Sequence, residues 1–228
     1  MNPKPVCIIP ARGGSKRVHR KNIRQFNGKP LIAWPIETAI KSGIFSDVIV
    51  STDDREIADI SKKHGASIPF MRSSTLADDH TTTADVLKDA LARIDPIETT
   101  CCLYPTAPLI TSQDLKSALE LLINQNVDAV ISITDFDFHP LRAFSLGKSG
   151  TLSFKWPEYE LTRSQDLPQL SHDAGAFYFF KTESFIQQGK LVMKNTIGYH
   201  LERMRALDID TEEDFNLAEK LHGLTFGR

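Results

Sequence analysis

Short apolar runs alternate along this chain with longer stretches in which apolar positions are spaced. "VCIIP" (6–10), "DVIVST" (47–52), "TCCLYP" (100–105) and "DAVISIT" (128–134) are nearly continuous apolar segments, the pattern of strands buried on both faces. Between them the spacing becomes that of a helix. Val86, Leu87, Ala90, Leu91 and Ile94 form one apolar stripe; Leu115, Ala118, Leu119 and Leu122 form another. "DDREIADISKKHG" begins acidic, ends basic and closes on glycine, the polarity a helix dipole favours. "AGAFYFF" (174–180) reads as a further strand, and a helix is expected near Thr211 to His222.

Strands alternating with helices predict right-handed crossovers and an α/β fold: a three-layer α/β/α nucleotide-binding sandwich with a mostly parallel sheet. The rhythm breaks from Asp135 to Leu170, which holds aromatics, prolines and glycines without a clean period. No internal repeat or Gly/Ser-rich linker divides the chain, so residues 1–228 are expected to form a single domain.

Composition narrows the classes. Lys and Arg number 27 against 29 Asp and Glu, a net charge of -2, and nucleic-acid or membrane-surface binding would favour a strong basic excess. Neither partner is expected. No run of 18 apolar residues and no signal-peptide pattern is recognisable, which leads to an expectation of the cytoplasm. The 3 cysteines fit neither a disulfide framework nor a zinc site; Cys101 and Cys102 are adjacent in an apolar run and should point to opposite faces as buried thiols.

Against that near-neutral background, one loop is strongly basic. Arg12, Lys16, Arg17, Arg20, Lys21 and Arg24 follow the first strand, with Gly13 and Gly14 among them. In open α/β sheets, ligands bind beyond the carboxyl ends of the strands, so this position suits a polyphosphate. The glycines let the backbone turn and bring N–H groups close to it. The Gly-Lys-Ser/Thr ending of a Walker loop is missing, as is G-x-G-x-x-G. A merely solvated basic loop is the alternative. In "ALDIDTEEDF" (206–215), Asp208 and Asp210 alternate and can face one side, an oxygen donor pair suited to Mg²⁺. Thr211 with Asp214 equally resembles a helix N-cap. Thr81, Thr82 and Thr83 precede a helix, as caps or as hydroxyl contacts to a ligand. Arg72 ends an apolar run at what reads as a strand's carboxyl side. No Ser/His/Asp order or histidine spacing supports nucleophilic or zinc chemistry.

In order, "IIPARGGSKR…RKNI…GKPLIAW", "VSTDDREIA", "RSSTLADD", "LYPTAPL", "GAFYF" and "DIDTEED" resemble the cytidylyltransferases that activate nonulosonic acids with CTP. The resemblance runs from about residue 6 to residue 220. It implies a glycosyltransferase-A-like nucleotide-binding fold and a homodimer, with the segment at about 135–170 as a dimerisation arm packed on the partner's site. It implies a nucleotide loop of Ala11, Arg12, Gly13, Gly14, Ser15 and Lys16, with Lys21 beside the reacting α-phosphate. It also implies cytosine recognition by Asn22 and Arg72 with Thr82 nearby, and Mg²⁺ on Asp208 and Asp210. Tyr104, Arg142, Arg163 and Gln165 fall where the family binds the nine-carbon 2-keto sugar acid. Catalytic roles are thereby expected of Lys16, Lys21, Asp208 and Asp210.

Where sialic-acid enzymes of the family typically show Leu-Gln-Pro-Thr-Ser-Pro-Leu-Arg, this chain has "CLYPTAPLI", with Tyr104 for the glutamine and Ile110 for the arginine. An amide that hydrogen-bonds sugar hydroxyls is replaced by a phenol. With "RSSTLADDHTTT" and "DAGAFYF", this resembles the branch that acts on pseudaminic acid, whose extra acetamido and deoxy positions suit a more apolar wall. The same reaction on N-acetylneuraminic or legionaminic acid is the alternative, and a nucleotide-binding relative without chemistry is the alternative of another class.

Overall fold

Cys7 and Ile9 leave the first strand on one side and Val6 and Ile8 on the other, and each pair enters a different apolar core. A computed structural model of the protein, which describes residues 3–78 and 80–227, shows how this alternation is used. Its elements in chain order are β1 (Val6–Pro10), β2 (Gln25–Phe26), β3 (Lys29–Pro30), α1 (Ala33–Ser42), β4 (Asp47–Ser51), α2 (Arg55–Lys63) and α3 (Thr83–Leu91). They continue with β5 (Thr99–Leu103), α4 (Ser112–Asn124), β6 (Ala129–Asp135), β7 (Phe144–Leu146), β8 (Leu152–Phe154), β9 (Ser171–Lys181), α5 (Thr182–Gln188), β10 (Thr196–His200) and α6 (Glu212–Phe226).

The main sheet runs β10-β6-β9-β5-β1-β4. β1 is parallel to β4 and β5, and β10 is parallel to β6; β9 alone runs antiparallel, between β5 and β6. The mostly parallel α/β sandwich expected from the alternation is thus present. Cys7, Ile9, Val50, Cys101, Leu103, Val130 and Phe177 face one layer, where Ile36 of α1, Ile57 of α2 and Leu115 of α4 cover them. Val6, Ile8, Ile49, Cys102, Ile131, Tyr178 and Phe180 face the other, covered by Leu87 and Ala90 of α3 and Phe185 of α5. Cys101 and Cys102 do fall on opposite faces, and all three cysteines are buried free thiols.

The helix ends follow their sequence signals. Asp54 caps α2 by accepting from the Ile57 N–H. Thr111–Asp114 and Thr211–Asp214 form reciprocal capping boxes on α4 and α6. Not legible in the apolar rhythm are α1, with Pro35 in its first turn, the short α5, β10 and the two small ribbons β2–β3 and β7–β8. Ile94 lies past the end of α3, although it still packs on the same core.

A third cluster carries the functional geometry. Val18 from the basic loop, Phe26 and Leu31 pack with Ile209, Phe215 and Ala218 from the far end of the chain. Ile209 is fully buried, and this anchors the residues on either side of it. The 135–170 segment contains the small hairpin β7–β8 and several short 3-10 turns. It exposes large apolar side chains: Phe138 is 89% and Leu161 94% accessible.

Candidate active site

The parallel strands β1 and β5 end at Pro10 and Leu103, and the basic loop and Tyr104 follow directly at that edge. Between them opens a cleft of about 330 Å³, lined among others by Arg12, Lys16, Lys21, Arg72, Tyr104 and Asp210. Ser15 and Asn22 line it as well. A larger groove of about 950 Å³ lies at the opposite edge, between α3, α4 and α5. It is lined by Asp95, Glu98 and Glu183 with Lys88 and Lys181, but it lies away from the strands' carboxyl ends, where ligands of open α/β sheets bind, so the smaller cleft is the candidate site.

The basic loop is braced from three sides. Ala11 is buried and donates its N–H to the Ser51 carbonyl (2.9 Å), extending the β1–β4 ladder. The Gly13 N–H donates to Asp53 Oδ1 (3.2 Å), and a Cβ at Gly13 would sit 2.7 Å from Asp54 Oδ2, so a larger residue there would displace the side chain that caps α2. Gly14 has open space around it. Arg12 Nη1 donates to the Asp78 carbonyl (3.0 Å), and Arg20, held at φ 48°, contacts Glu56 at 2.8 Å.

Asn22 is buried, and its amide nitrogen donates to the Arg12 carbonyl (3.0 Å) while its own carbonyl accepts from Ile32 (2.8 Å). The second of these bonds is to its main-chain carbonyl, so the side chain stitches the loop through its amide nitrogen while the residue lines the cleft. Arg72, by contrast, offers a free position. No strand precedes it; its N–H donates to the Thr52 carbonyl (2.8 Å), and its side chain, 2% exposed, contacts Asp53 at 3.4 Å. Its Nε is buried without a hydrogen-bond partner, a donor positioned for a ligand acceptor. Desolvation lowers its pKa against the opposing pull of Asp53.

Lys21 sits on the floor of the cleft. Its ammonium donates to the Ile209 carbonyl and lies 3.7 Å from Asp210. Desolvation by burial lowers its pKa, outweighing Asp210 and Asp208. Asp208 is shifted upward, first by desolvation and then by its neighbour Asp210. Asp210 lines the cleft, whereas Asp208 is exposed and does not; these two carboxylates flanking the buried Ile209 are the side chains here that could hold a divalent cation. Mg²⁺ characteristically takes one or two carboxylates together with substrate phosphates. No group of three or more His, Cys, Asp or Glu ligands occurs among the described residues.

Not every expected residue reaches the cleft. Thr82 caps α3, accepting from the Asp85 N–H (3.2 Å) and donating to its carboxylate (2.6 Å), while its neighbours Thr81 and Thr83 line the cleft instead. Arg142, Arg163 and Gln165 lie on the 135–170 segment, away from this chain's cleft. Arg142 donates to the carbonyls of Glu160 (2.9 Å) and Thr162 and so braces that segment. Arg163 pairs with Asp166 (2.7 Å), and Gln165 is exposed. Asp53 was not singled out by sequence reasoning, although an acid just past a strand's carboxyl end is a recognisable signal.

This fold has a close counterpart among solved structures. A CMP:2-keto-3-deoxy-manno-octonic acid synthetase complexed with CTP superposes with a TM-score of 0.72, covering 97% of this chain and 99% of that one at 17% identity. The sequence carries the assignment further: the cytidylyltransferase family model matches residues 6–226, and the chain belongs to that family. It is 39% identical over 223 residues, 96% of each chain, to a pseudaminic acid cytidylyltransferase of Campylobacter jejuni. An N-acylneuraminate cytidylyltransferase of Streptococcus agalactiae is 34% identical over 93% of this chain and 52% of its own length.

Proposed function

We propose that the protein joins CTP to pseudaminic acid, a nine-carbon 2-keto sugar acid, giving the CMP-sugar and pyrophosphate. The observation that carries this reading is the meeting of Lys21 and Asp210, from opposite ends of the chain, beneath the basic loop at the sheet's carboxyl edge. Identity over the whole length to a pseudaminic acid cytidylyltransferase, and Tyr104 in the cleft wall, support the choice of sugar.

In this reading the anomeric hydroxyl oxygen of the sugar bonds to the α-phosphorus in line. The bond from that phosphorus to the bridging oxygen breaks, pyrophosphate leaves, and the hydroxyl proton is released. Arg12, Ser15 and Lys16, with the backbone of Gly14, bind the outer phosphates. Lys21, desolvated in the cleft, meets charge developing at the α-phosphate. Arg72 offers its unpartnered Nε to an acceptor on the nucleotide. Asp208 and Asp210 are the residues that would hold Mg²⁺, which when bound neutralises triphosphate charge.

The sugar is held by Tyr104 from this subunit and by Arg163 and Gln165 from a second copy, the exposed apolar side chains of the 135–170 arm sealing a homodimer. No helix is long and apolar enough to cross a membrane among the described residues. The reading places the enzyme in the cytoplasm with its CTP and engages neither membrane nor nucleic acid.

The test is incubation of the purified protein and Mg²⁺ with CTP and, separately, pseudaminic, legionaminic and N-acetylneuraminic acids, with CMP-sugar read by mass and pyrophosphate by release. Pseudaminic acid should give the highest kcat/KM. Preference for another of the three overturns the sugar assignment, and CTP binding without pyrophosphate from any of them overturns the activity.

A further inference from the structure

Among the described residues, three that are not glycine have a positive φ: Arg20 at 48°, Asn27 at 45° and Asn126 at 48°. Asparagine visits that left-handed region readily, whereas arginine does so under strain. Arg20 bears a second cost, because its Nε is buried without a hydrogen-bond partner. Costs of this kind persist where the surroundings over-determine them, and they gather at functional sites. Arg20 is nevertheless not a wall of the cleft: Arg17, Val18, Lys21 and Asn22 line it, and Arg20 does not.

What holds Arg20 is the start of α2. Its Nη2 lies 2.8 Å from Glu56 Oε2 in the first turn of that helix and 3.3 Å from Oδ2 of the capping residue Asp54. Asp54 is itself fixed, since its Oδ1 accepts from the Ile57 N–H (3.0 Å) and Ile57 is buried in the core. The main chain of Arg20 is tied on its other side. Its carbonyl accepts from the Ile23 N–H (3.0 Å) and the Arg24 N–H (3.1 Å), closing the 3-10 turn Lys21–Ile23. The side chain thus reaches back to a packed helix, while the backbone opens the turn that carries Lys21 into the cleft.

Lys21 is the residue this reversal aims. Its ammonium donates to the Ile209 carbonyl and stands 3.7 Å from Asp210. With an ordinary negative φ at Arg20 the turn would leave in another direction, and the Lys21 side chain would come off the cleft floor. We propose that Arg20 is a positioning residue: its ion pairs with Glu56 and Asp54 hold a left-handed backbone that directs Lys21 at the α-phosphate of the nucleotide. This rests on the reading that Lys21 acts on that phosphate. One cation of the basic loop then serves the reaction without binding substrate.

The test is steady-state kinetics with CTP and pseudaminic acid on Arg20→Ala, Arg20→Gly, Glu56→Gln, Lys21→Ala and the double variant of Arg20→Ala with Lys21→Ala. Arg20→Ala should lower kcat about 10- to 50-fold with KM for CTP within about twofold, because a group displaced by roughly 1 Å can lose about 10² in rate. Arg20→Gly should keep more of kcat than Arg20→Ala, since glycine takes the left-handed φ without a Cβ penalty. Glu56 is exposed, and Glu56→Gln should lower kcat about two- to fivefold, the scale of one solvent-exposed ion pair. The double variant should be no slower than Lys21→Ala, because Arg20 acts through Lys21. A rise in KM for CTP at unchanged kcat would make Arg20 a phosphate ligand and overturn the proposal. Additive losses in the double variant, or equal kcat in Arg20→Ala and Arg20→Gly, would overturn it as well.

A second measurement needs no turnover. With lysine ¹³C-labelled at Cε, the Lys21 resonance is assigned by its loss in Lys21→Ala. At constant pH it should move in Glu56→Gln, although Glu56 does not line the cleft. A stationary Lys21 signal in the folded variant overturns the proposal. If the wild-type protein activates no sugar acid, the proposed function has failed, and this resonance alone then decides whether α2 sets the direction of Lys21.

Discussion

The guanidinium of Arg17 closes on the Asp210 carboxylate with two contacts, Nη1 to Oδ2 at 2.8 Å and Nη2 to Oδ1 at 2.9 Å. The carboxylate proposed to hold Mg²⁺ is thus covered by a side chain of the phosphate loop, and the two cations compete for it. Arg17→Ala should bind Mn²⁺, used as a probe for Mg²⁺, about two- to fivefold more tightly without nucleotide, since an exposed pair of this kind is worth roughly 0.2–1 kcal/mol. Titration by electron paramagnetic resonance measures this; weaker binding in the variant would show that Arg17 does not compete with the metal.

Lys21 is desolvated and aimed at the same carboxylate from below. If it meets charge that grows only in the transition state, Lys21→Ala should lower kcat by about 10² to 10³, with KM for CTP changed far less. Steady-state kinetics at saturating sugar separate the two constants. A change confined to KM would make Lys21 a ground-state binding residue.

Asp53 links the basic loop to Arg72, accepting from the Gly13 N–H and contacting the buried guanidinium. In Asp53→Asn the cation loses its counter-charge, and stability should fall by about 1–3 kcal/mol. CTP brings anionic phosphates into the same cleft, so it should raise the Tm of the variant more than that of wild type. Equal shifts on adding CTP would show that Asp53 serves the fold but not the nucleotide site.

Asp114 holds the approach to the aspartate pair, with both oxygens on Arg205 (2.6 and 3.2 Å) and Oδ1 also accepting from Tyr199 (3.0 Å). Desolvation pushes its pKa up, but Arg205 and Thr111 outweigh this and hold it below its ordinary 3.8. A lowered carboxyl contributes stability that is present above the unfolded value and lost as pH falls through the folded one. Asp114→Asn should therefore be about 3 kcal/mol less stable than wild type at pH 7, and the gap should narrow as pH falls below the ordinary value. Urea denaturation at a series of pH values checks this; a gap independent of acidity would remove the ion pair from the account.

Leu161 and Phe138 stand almost fully exposed on the 135–170 arm. If the arm seals a homodimer, Leu161→Asp with Phe138→Asp should give a monomer by light scattering and lose most turnover, because Arg163 and Gln165 leave the partner's cleft. A wild-type protein that is itself monomeric at micromolar concentration would refute the arm's role.

Much of this architecture is local information. β1, β4, β5 and β6 are buried on both faces and so read as continuous apolar runs; the caps at Asp54, Thr111 and Thr211 are short-range hydrogen bonds with recognisable residue spacings. The basic loop follows the first strand directly, so its position in the sequence already marks the edge at which the cleft lies. α1 escaped because its buried face includes Pro35 and Ser42, which are not apolar helix signals, α5 because it buries Phe185 alone, and β10 because its residues are only half-buried at the sheet edge.

Sequence alone also pointed to the residue types proposed for the site: a cationic loop with two glycines, an alternating aspartate pair and the phenol of Tyr104. Tertiary structure decided which of them meet. Lys21 and Ile209 are 188 residues apart and are joined through a third apolar cluster that no local pattern announces. The same packing turned Asn22 inward onto the loop, left Thr82 as a cap with Thr81 and Thr83 in the cleft, and bent β9 so that Asp173 reaches Tyr178. Side-chain direction at such points depends on bulges and long-range burial, which depend on how distant segments fill space together, so a chain read residue by residue supplies the groups but not their partners.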